Sequence, residues 1–186
     1  MLRHTKNVVR KSMEMNRQLL NLVIDDERWN KALPEAAELC DKIILKVFEY
    51  IERNDYSELF DSSLPLSVNL SLSNDIEVHK LNKEFRGIDK PTNVLSFANI
   101  DDEFFELEPD NAEDVELGDI IIALETLQRE AETKGISLKD HFCHLFIHGL
   151  LHLLGYDHQN DEEAEEMENY EVMILQQFAI KNPYEE

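Results

Sequence analysis

The chain has 186 residues, of which 42% are hydrophobic and 31% are charged, and its formal net charge is −22. This composition is typical of a globular protein with one core, and no apolar run reaches the length of a membrane span, so we expect no membrane partner. The large negative charge argues against a protein that coats nucleic acid through its overall charge, although it permits a locally basic cleft.

The chain starts with a basic segment that differs from the rest. Residues 1–17 hold five lysines and arginines against one acid, Glu14. We interpret them as a basic N-terminal extension, either disordered or an arm that contacts RNA, and residues 18–181 as one domain. Cys40 and Cys143 lie in apolar helical patterns, which predicts buried free thiols and a cytoplasmic protein.

The first half of the domain predicts two strands, over residues 19–24 and 66–72. Between them, Pro34 opens a helix with one apolar face. After the second strand, Asn74 stands as the N-cap of another helix, and Glu77 three residues on is typical of a capping box. The residues that we place on the buried side of this helix are Val78, Leu81 and Phe85.

The second half predicts two more short strands, over residues 94–97 and 120–122. The acidic segment between them contains Pro109 and predicts an exposed loop. Three helical patterns follow, over residues 124–134, 137–154 and 162–179. Helices with about four short strands in irregular order indicate an α+β fold, a single domain with one mixed sheet packed against helices.

One of these helices, over residues 137–154, carries four histidines on a single stripe, and its other sides are almost entirely apolar. The four are His141, His144, His148 and His152. A helix with this pattern is central and buried. Buried imidazoles need polar partners, and a metal ion would satisfy that need most simply.

Helix geometry selects the metal ligands. His148 and His152 are one turn apart and can reach one ion, whereas a third ligand on the same helix would lie about 12 Å along the axis from the first. Gly155 lets the chain turn back, and His158 follows. Three histidines leave one coordination position for water, as in catalytic zinc sites. The sequence therefore predicts one zinc ion per chain, held by His148, His152 and His158.

The spacing matches that of metzincin proteases, His-Glu-x-x-His-x-x-Gly-x-x-His. Those enzymes have a general-base glutamate directly after the first histidine, where this chain has Gly149. Glycine cannot transfer a proton. The sequence thus predicts a zincin-like metal site on a central helix without the peptidase base. A zinc hydrolase of peptide or amide bonds is an alternative that Gly149 disfavours.

The string from His148 to His158, His-Gly-Leu-Leu-His-Leu-Leu-Gly-Tyr-Asp-His, resembles the signature of the YbeY family, and residues 81–97 and 117–122 resemble two further blocks of it. The resemblance implies a single-strand-specific, metal-dependent endoribonuclease of the cytoplasm. It would act in ribosomal RNA maturation, at the 3′ end of 16S rRNA, and in ribosome quality control. The implied partners are single-stranded RNA, ribosomal RNA, small-subunit ribosomal proteins and assembly factors.

The resemblance also carries over site residues. It makes the three histidines zinc ligands and Arg86 a functional arginine, and we assign catalysis to Arg86 and His148. As a hypothesis, zinc activates water while Arg86 holds the scissile phosphate. The chain departs from the family pattern at three positions. Asn93, Ala98 and Ala123 stand where the family usually has Asp, Pro and Ser, respectively.

Several roles stay open at this point. Asn93 puts in doubt any acid–base function at its position. His141 and His144 either line the substrate cleft or are buried histidines with protein partners. Asp157 either orients a ligand or only shapes a turn. A non-enzymatic ribosome-assembly factor with structural zinc is the second alternative, which the open coordination position disfavours.

Overall fold

The computed structural model describes residues 9–12, 18–55, 57–107 and 110–185. The strands in these ranges are β1 (Val9–Ser12), β2 (Gln18–Ile24), β3 (Leu66–Ser73), β4 (Val94–Ala98) and β5 (Val115–Ala123). The α-helices are α1 (Trp29–Ala32), α2 (Ala36–Asn54), α3 (Asp75–Arg86), α4 (Leu124–Lys134), α5 (Leu138–Leu153) and α6 (Asp161–Gln176). None of these helices is long and apolar enough to cross a membrane.

The strands form one mixed sheet in the order β1-β2-β3-β5-β4. The three central strands run parallel to each other, whereas β1 and β4 pair antiparallel at the two edges. The four strands predicted from the sequence are confirmed as β2 to β5, and so is the α+β fold with one mixed sheet.

The predicted basic extension, residues 1–17, lies outside the described residues except for four of them. Those four form β1, which pairs with β2 at one edge of the sheet. The alternative of an RNA-contacting arm stays a prediction.

Helix α5 is the centre of the larger hydrophobic core, as its sequence predicts. It packs against β4 and β5 on one side and against α2, α4 and α6 on the others. Ser137 caps its first turn by accepting a hydrogen bond from the Asp140 amide at 3.0 Å. The histidine stripe of α5 finds carboxylate partners on the neighbouring helices α4 and α6.

Helix α3 packs on the opposite face of β4 and β5, through a small cluster that includes Val78 and Leu95. Asn74 caps it as predicted, since its side chain accepts hydrogen bonds from the amides of Ile76 and Glu77 at 3.1 Å. The predicted burial of Phe85 is wrong, because this side chain is 63% exposed. Strand β4 is the edge of the sheet, so Phe85 contacts the ring of Phe97 and nothing covers its outer side within the described ranges.

The acidic segment is only partly the predicted exposed loop. Its last residues already belong to β5, where Val115 and Leu117 are buried. Phe105 and Leu107 pack against the core, whereas Phe104 is 81% exposed. Pro109 lies outside the described residues. The strand begins earlier than predicted. Its acidic residues are exposed while the residues between them are buried, and these acidic residues made the start of the strand look like part of the loop.

Candidate metal centre

The fold brings His148, His152 and His158 together. One nitrogen of each ring lies within 4.8 Å of a nitrogen of the other two. The ring centres of His148 and His152 are 4.6 Å apart, and that of His158 lies 5.7 Å and 5.1 Å from them. The three residues that the sequence analysis selected as ligands are therefore neighbours in space.

A turn after α5 returns His158 to the helix. Gly155 has a φ of 93°, in the left-handed region that glycine adopts without strain. The amide of Tyr156 then donates to the carbonyl of Leu151 at 3.0 Å, which closes the end of the helix. The predicted function of Gly155 as the turning point is what the backbone shows.

The ring nitrogens of two histidines are oriented by acceptors. His148 Nδ1 lies 2.8 Å from a carboxylate oxygen of Glu171, and His152 Nδ1 lies 2.9 Å from the carbonyl oxygen of Tyr156. A carboxylate and a carbonyl only accept, so each Nδ1 carries the proton. In the neutral rings, the lone pairs are consequently on the Nε2 atoms.

These two Nε2 atoms face each other at 3.1 Å. Two lone pairs at that distance repel unless a proton or a cation lies between them. Ligands with zinc–nitrogen bonds of about 2.1 Å and tetrahedral angles have nitrogens about 3.4 Å apart, close to the observed separation. The residues therefore fit a metal ion, and an all-imidazole set suits zinc.

The electrostatics also suit metal binding. Burial and the neighbouring rings of His148 and His158 lower the pKa of His152 to about 4. The imidazole of His152 is thus neutral at physiological pH. Metal ligands must be deprotonated at the coordinating nitrogen, so no proton has to be removed from His152 before it binds an ion.

Arg86, the last residue of α3, lines the same cavity as the histidines. It forms no ion pair with any side chain of the described ranges. Asp89, three residues further along the chain, instead accepts from Lys83 at 2.8 Å and contacts His79 at 2.7 Å. The guanidinium is therefore available to a ligand in the cavity, and an Arg86–Asp89 ion pair is excluded as its role here.

Edge strand β4 forms one wall of this cavity. Its alternate residues Val94, Ser96 and Ala98 line it, together with Asp101 and the turn after α5. Residues on one side of a strand alternate with those on the other, so Leu95 and Phe97 face α3 instead. The cavity consequently lies between the ends of α3 and α5, against an edge strand.

Asp157 shapes the turn beside the cavity. Its carboxylate accepts from the amide of His158 at 2.8 Å and from the side chain of Gln159 at 2.6 Å. The hydrogen bond from the His158 amide is the main cause that lowers the pKa of Asp157. Of the two roles left open, the described contacts favour that of a turn residue.

Gly149 faces the sheet. A Cβ atom at this position would lie 3.0–3.3 Å from three side-chain atoms of Ile120. Gly149 is absent from the residues that line the cavity. A glutamate here would press on Ile120 and start on the side of the helix that faces the sheet, which adds a steric reason to the missing peptidase base.

Two carboxylates were missed by the sequence analysis, the partly exposed Glu130 and the buried Glu171, and they explain the remaining histidines. His141, fully buried, lies 2.8 Å from a carboxylate oxygen of Glu130, which also accepts from the amide of Asn93 at 2.9 Å. His144 lies 2.8 Å from Glu171. Both histidines therefore have protein partners, and His144 is 12% exposed.

A signal for Glu171 was present in the sequence. It stands one turn from Met167 and one turn from Leu175, inside the apolar stripe of α6. A carboxylate on a buried helix face indicates a polar partner across the interface. The side-chain amide of Asn93 donates to Glu130, and the family's usual Asp at this position would instead place a second carboxylate beside it.

Known proteins are similar to this chain over the part that contains the site. The family model described as Endoribonuclease YbeY matches residues 23–179. Endoribonuclease YbeY of Rhodospirillum rubrum is 44% identical over 84% of this chain and 76% of its own length. That of Paramagnetospirillum magneticum is 43% identical over 85% and 90%, and that of Francisella tularensis is 38% identical over 95% of both. This chain belongs to the YbeY endoribonuclease family.

Proposed function

We propose that this protein is a zinc-dependent endoribonuclease that holds one zinc ion through His148, His152 and His158. Membership of the family supports an endoribonuclease, a nuclease that hydrolyses phosphodiester bonds. The observation that carries the zinc assignment is the pair of Nε2 atoms facing each other at 3.1 Å while both Nδ1 atoms are anchored.

The mechanism divides between the ion and the chain. A zinc ion at this position would supply Lewis-acid chemistry, which acidifies water and polarises a phosphoryl oxygen. Glu171 and the Tyr156 carbonyl keep two imidazoles in the orientation that such an ion needs. Arg86 binds the scissile phosphate, because its planar fork makes two parallel hydrogen bonds to phosphate oxygens and no ion pair competes for it within the described ranges.

The proposed substrate is single-stranded RNA, and the proposed process is ribosomal RNA maturation at the 3′ end of 16S rRNA, with ribosome quality control. The net charge of −22 supports a role for partners. A protein of this charge gains little from general attraction to phosphates, so local contacts or bound proteins must place it on RNA. We propose small-subunit ribosomal proteins and assembly factors as these partners, in the cytoplasm.

One observation favours the alternative of a peptide hydrolase. Strand β4 is an edge strand on the cavity wall, and an extended peptide can add to an exposed sheet edge. Against it, position 149 lacks a base, and a larger side chain there would press on Ile120. The alternative of a non-enzymatic assembly factor predicts bound zinc without cleavage.

A single set of reactions separates these three functions. The zinc-loaded protein is incubated with labelled single-stranded RNA, the matching duplex and casein, and His148→Ala serves as the control. We expect cleavage of the single strand alone, and loss of that cleavage in His148→Ala. Casein cleavage would favour the peptidase, and bound zinc without any cleavage would favour the assembly factor.

A further inference from the structure

Glu171 lies at a point where three donors converge. It belongs to α6 and is 1% exposed. One carboxylate oxygen accepts from His148 Nδ1 at 2.8 Å, and the other accepts from His144 Nε2 at 2.8 Å. The hydroxyl of Tyr184, in the segment after α6, donates to that second oxygen as well. Three elements of the fold therefore meet at one buried carboxylate.

The contacts of Glu171 fix the direction of its hydrogen bonds. Three groups that can donate, two ring nitrogens and one hydroxyl, point at its two oxygens, and a carboxylate that receives them acts as an acceptor. In this arrangement His148 carries its proton on Nδ1, the nitrogen that faces Glu171.

His144 contacts this carboxylate through one ring nitrogen, and its other ring nitrogen is left without a hydrogen bond. Its Nδ1 is buried and has no hydrogen-bond partner among the described residues. The ring would lose its contact with Glu171 if the proton moved from Nε2 to Nδ1. The Tyr184 ring, in the segment after α6, packs edge-on against the His144 ring, with the ring centres 5.6 Å apart.

We propose that Glu171 is a positioning residue that fixes His148 as an Nε2 metal ligand, and that Tyr184 holds Glu171 in place. The inference rests on the proposed function, because it takes His148 to be a ligand. Under this proposal the segment that follows the last helix is part of the metal centre, although it supplies no ligand itself.

Zinc affinity is the first test, measured on the full chain by competition with a chelator of known affinity. Glu171→Gln should bind zinc about 10- to 100-fold more weakly, the range for partners of metal-ligating histidines. Tyr184→Phe keeps the ring and removes only the hydroxyl, so its loss should be smaller, at about 2- to 10-fold. Glu165→Gln, exposed on the same helix, and Tyr50→Phe should match the wild type.

The second test reads the proton position without metal. Two-bond ¹H–¹⁵N spectra of zinc-free protein with labelled histidine should show His148 protonated at Nδ1 in the wild type. Glu171→Gln should show a mixture of the two tautomers, whereas Glu165→Gln should keep the single one. Protonation of His148 at Nε2 in the wild type would overturn the proposal.

The outcomes separate this inference from the proposed function. A wild type that binds no zinc contradicts the proposed zinc enzyme, while the spectra still decide the role of Glu171. Unchanged zinc affinity in a folded Glu171→Gln would overturn the positioning role. If that variant does not fold, the tautomer of His148 in the wild type tests the role of Glu171. Unchanged zinc affinity in Tyr184→Phe would overturn the role assigned to Tyr184.

Discussion

The four histidines of α5 form two pairs that use opposite ring nitrogens. The first pair, His141 and His144, contacts carboxylates through Nε2. The second pair, His148 and His152, is anchored through Nδ1. Nε2 is the nitrogen farther from the backbone, so only the second pair presents its outer nitrogens to the cavity.

This difference teaches that the hydrogen-bond partners agree with the spacing to Gly155 and His158 on which histidines can bind a metal. All four residues lie on one stripe of one helix. Glu171 marks the boundary, because it contacts the last histidine of the first pair and the first histidine of the second. An acceptor at Nδ1 leaves the lone pair of Nε2 free to bind a metal. An acceptor at Nε2 instead occupies the nitrogen that would otherwise bind the metal.

The largest effect should come from breaking the second pair. His148→Ala, His152→Ala and His158→Ala should each lose most of the bound zinc, because each removes one of three ligands. His141→Ala and His144→Ala should still bind about one zinc per chain when zinc is in excess. Elemental analysis of the purified proteins measures this. Full zinc in His158→Ala would show that the two-plus-one ligand set is wrong.

Arg86 tests whether the cavity beside the second pair is an active site. Arg86→Ala should slow single-turnover cleavage of single-stranded RNA about 30- to 1,000-fold, corresponding to about 2–4 kcal/mol of transition-state stabilisation. It should keep its zinc and its melting temperature. Arg86→Lys should recover only part of the rate, since an ammonium group cannot make the bidentate contact.

Lys80→Ala is the matched control, because Lys80 is exposed on the same helix and pairs with Glu77. It should cleave RNA at the wild-type rate. A wild-type rate in a folded Arg86→Ala would remove Arg86 from the mechanism. Joint loss of zinc and stability would instead mean that Arg86 is structural.

Gly149 lies in the second half of α5 but does not line the cavity, so a substitution there tests packing without changing the metal ligands. Gly149→Ala should lower the free energy of unfolding by about 1–3 kcal/mol, because the added methyl group overpacks against Ile120. Zinc content should not change, since this position faces the sheet. Urea denaturation measures the effect. A stability equal to the wild type would mean that Ile120 yields without cost, and that the steric argument against a glutamate there fails.

The smallest effect concerns the first pair and pH. Burial lowers the pKa of His141 below 6.5, despite the opposing hydrogen bond with Glu130. As pH falls through about 6.5, the unfolded chain binds a proton that the folded chain binds only at lower pH, so the free energy of unfolding decreases. Zinc-free protein unfolded by urea at about pH 7.5 and about pH 5.5 should show this decrease. His141→Asn should show a smaller one, and an equal decrease would contradict the assignment.

The strands and the histidine triad were predictable because they depend on local patterns. Alternation and apolar runs locate β2 to β5, and helical periodicity locates the five helices α2 to α6. The triad follows from a four-residue spacing and one glycine turn. Its members lie within eleven consecutive residues, 148 to 158, so no knowledge of distant packing was needed.

The partners of the histidines were not predictable in the same way. Glu171 reaches His148 only because α6 packs on α5 in one particular rotation. The exposure of Phe85 and the position of β4 on the cavity wall depend on which strand is at the sheet edge, and local periodicity does not reveal strand order. The early start of β5 was hidden by the acidic residues on its exposed side.

The ends of two helices have a consequence for the order in which the site is assembled. Both α3 and α5 finish at the cavity, and the C-terminal end of a helix carries a partial negative charge of about −0.5. Asp101 and Asp157 line the same space. Even with the guanidinium of Arg86 in its lining, the cavity is therefore negative on balance and attracts cations more readily than phosphate. We expect the divalent ion to enter first, and RNA to bind only after the ion has reversed the local field.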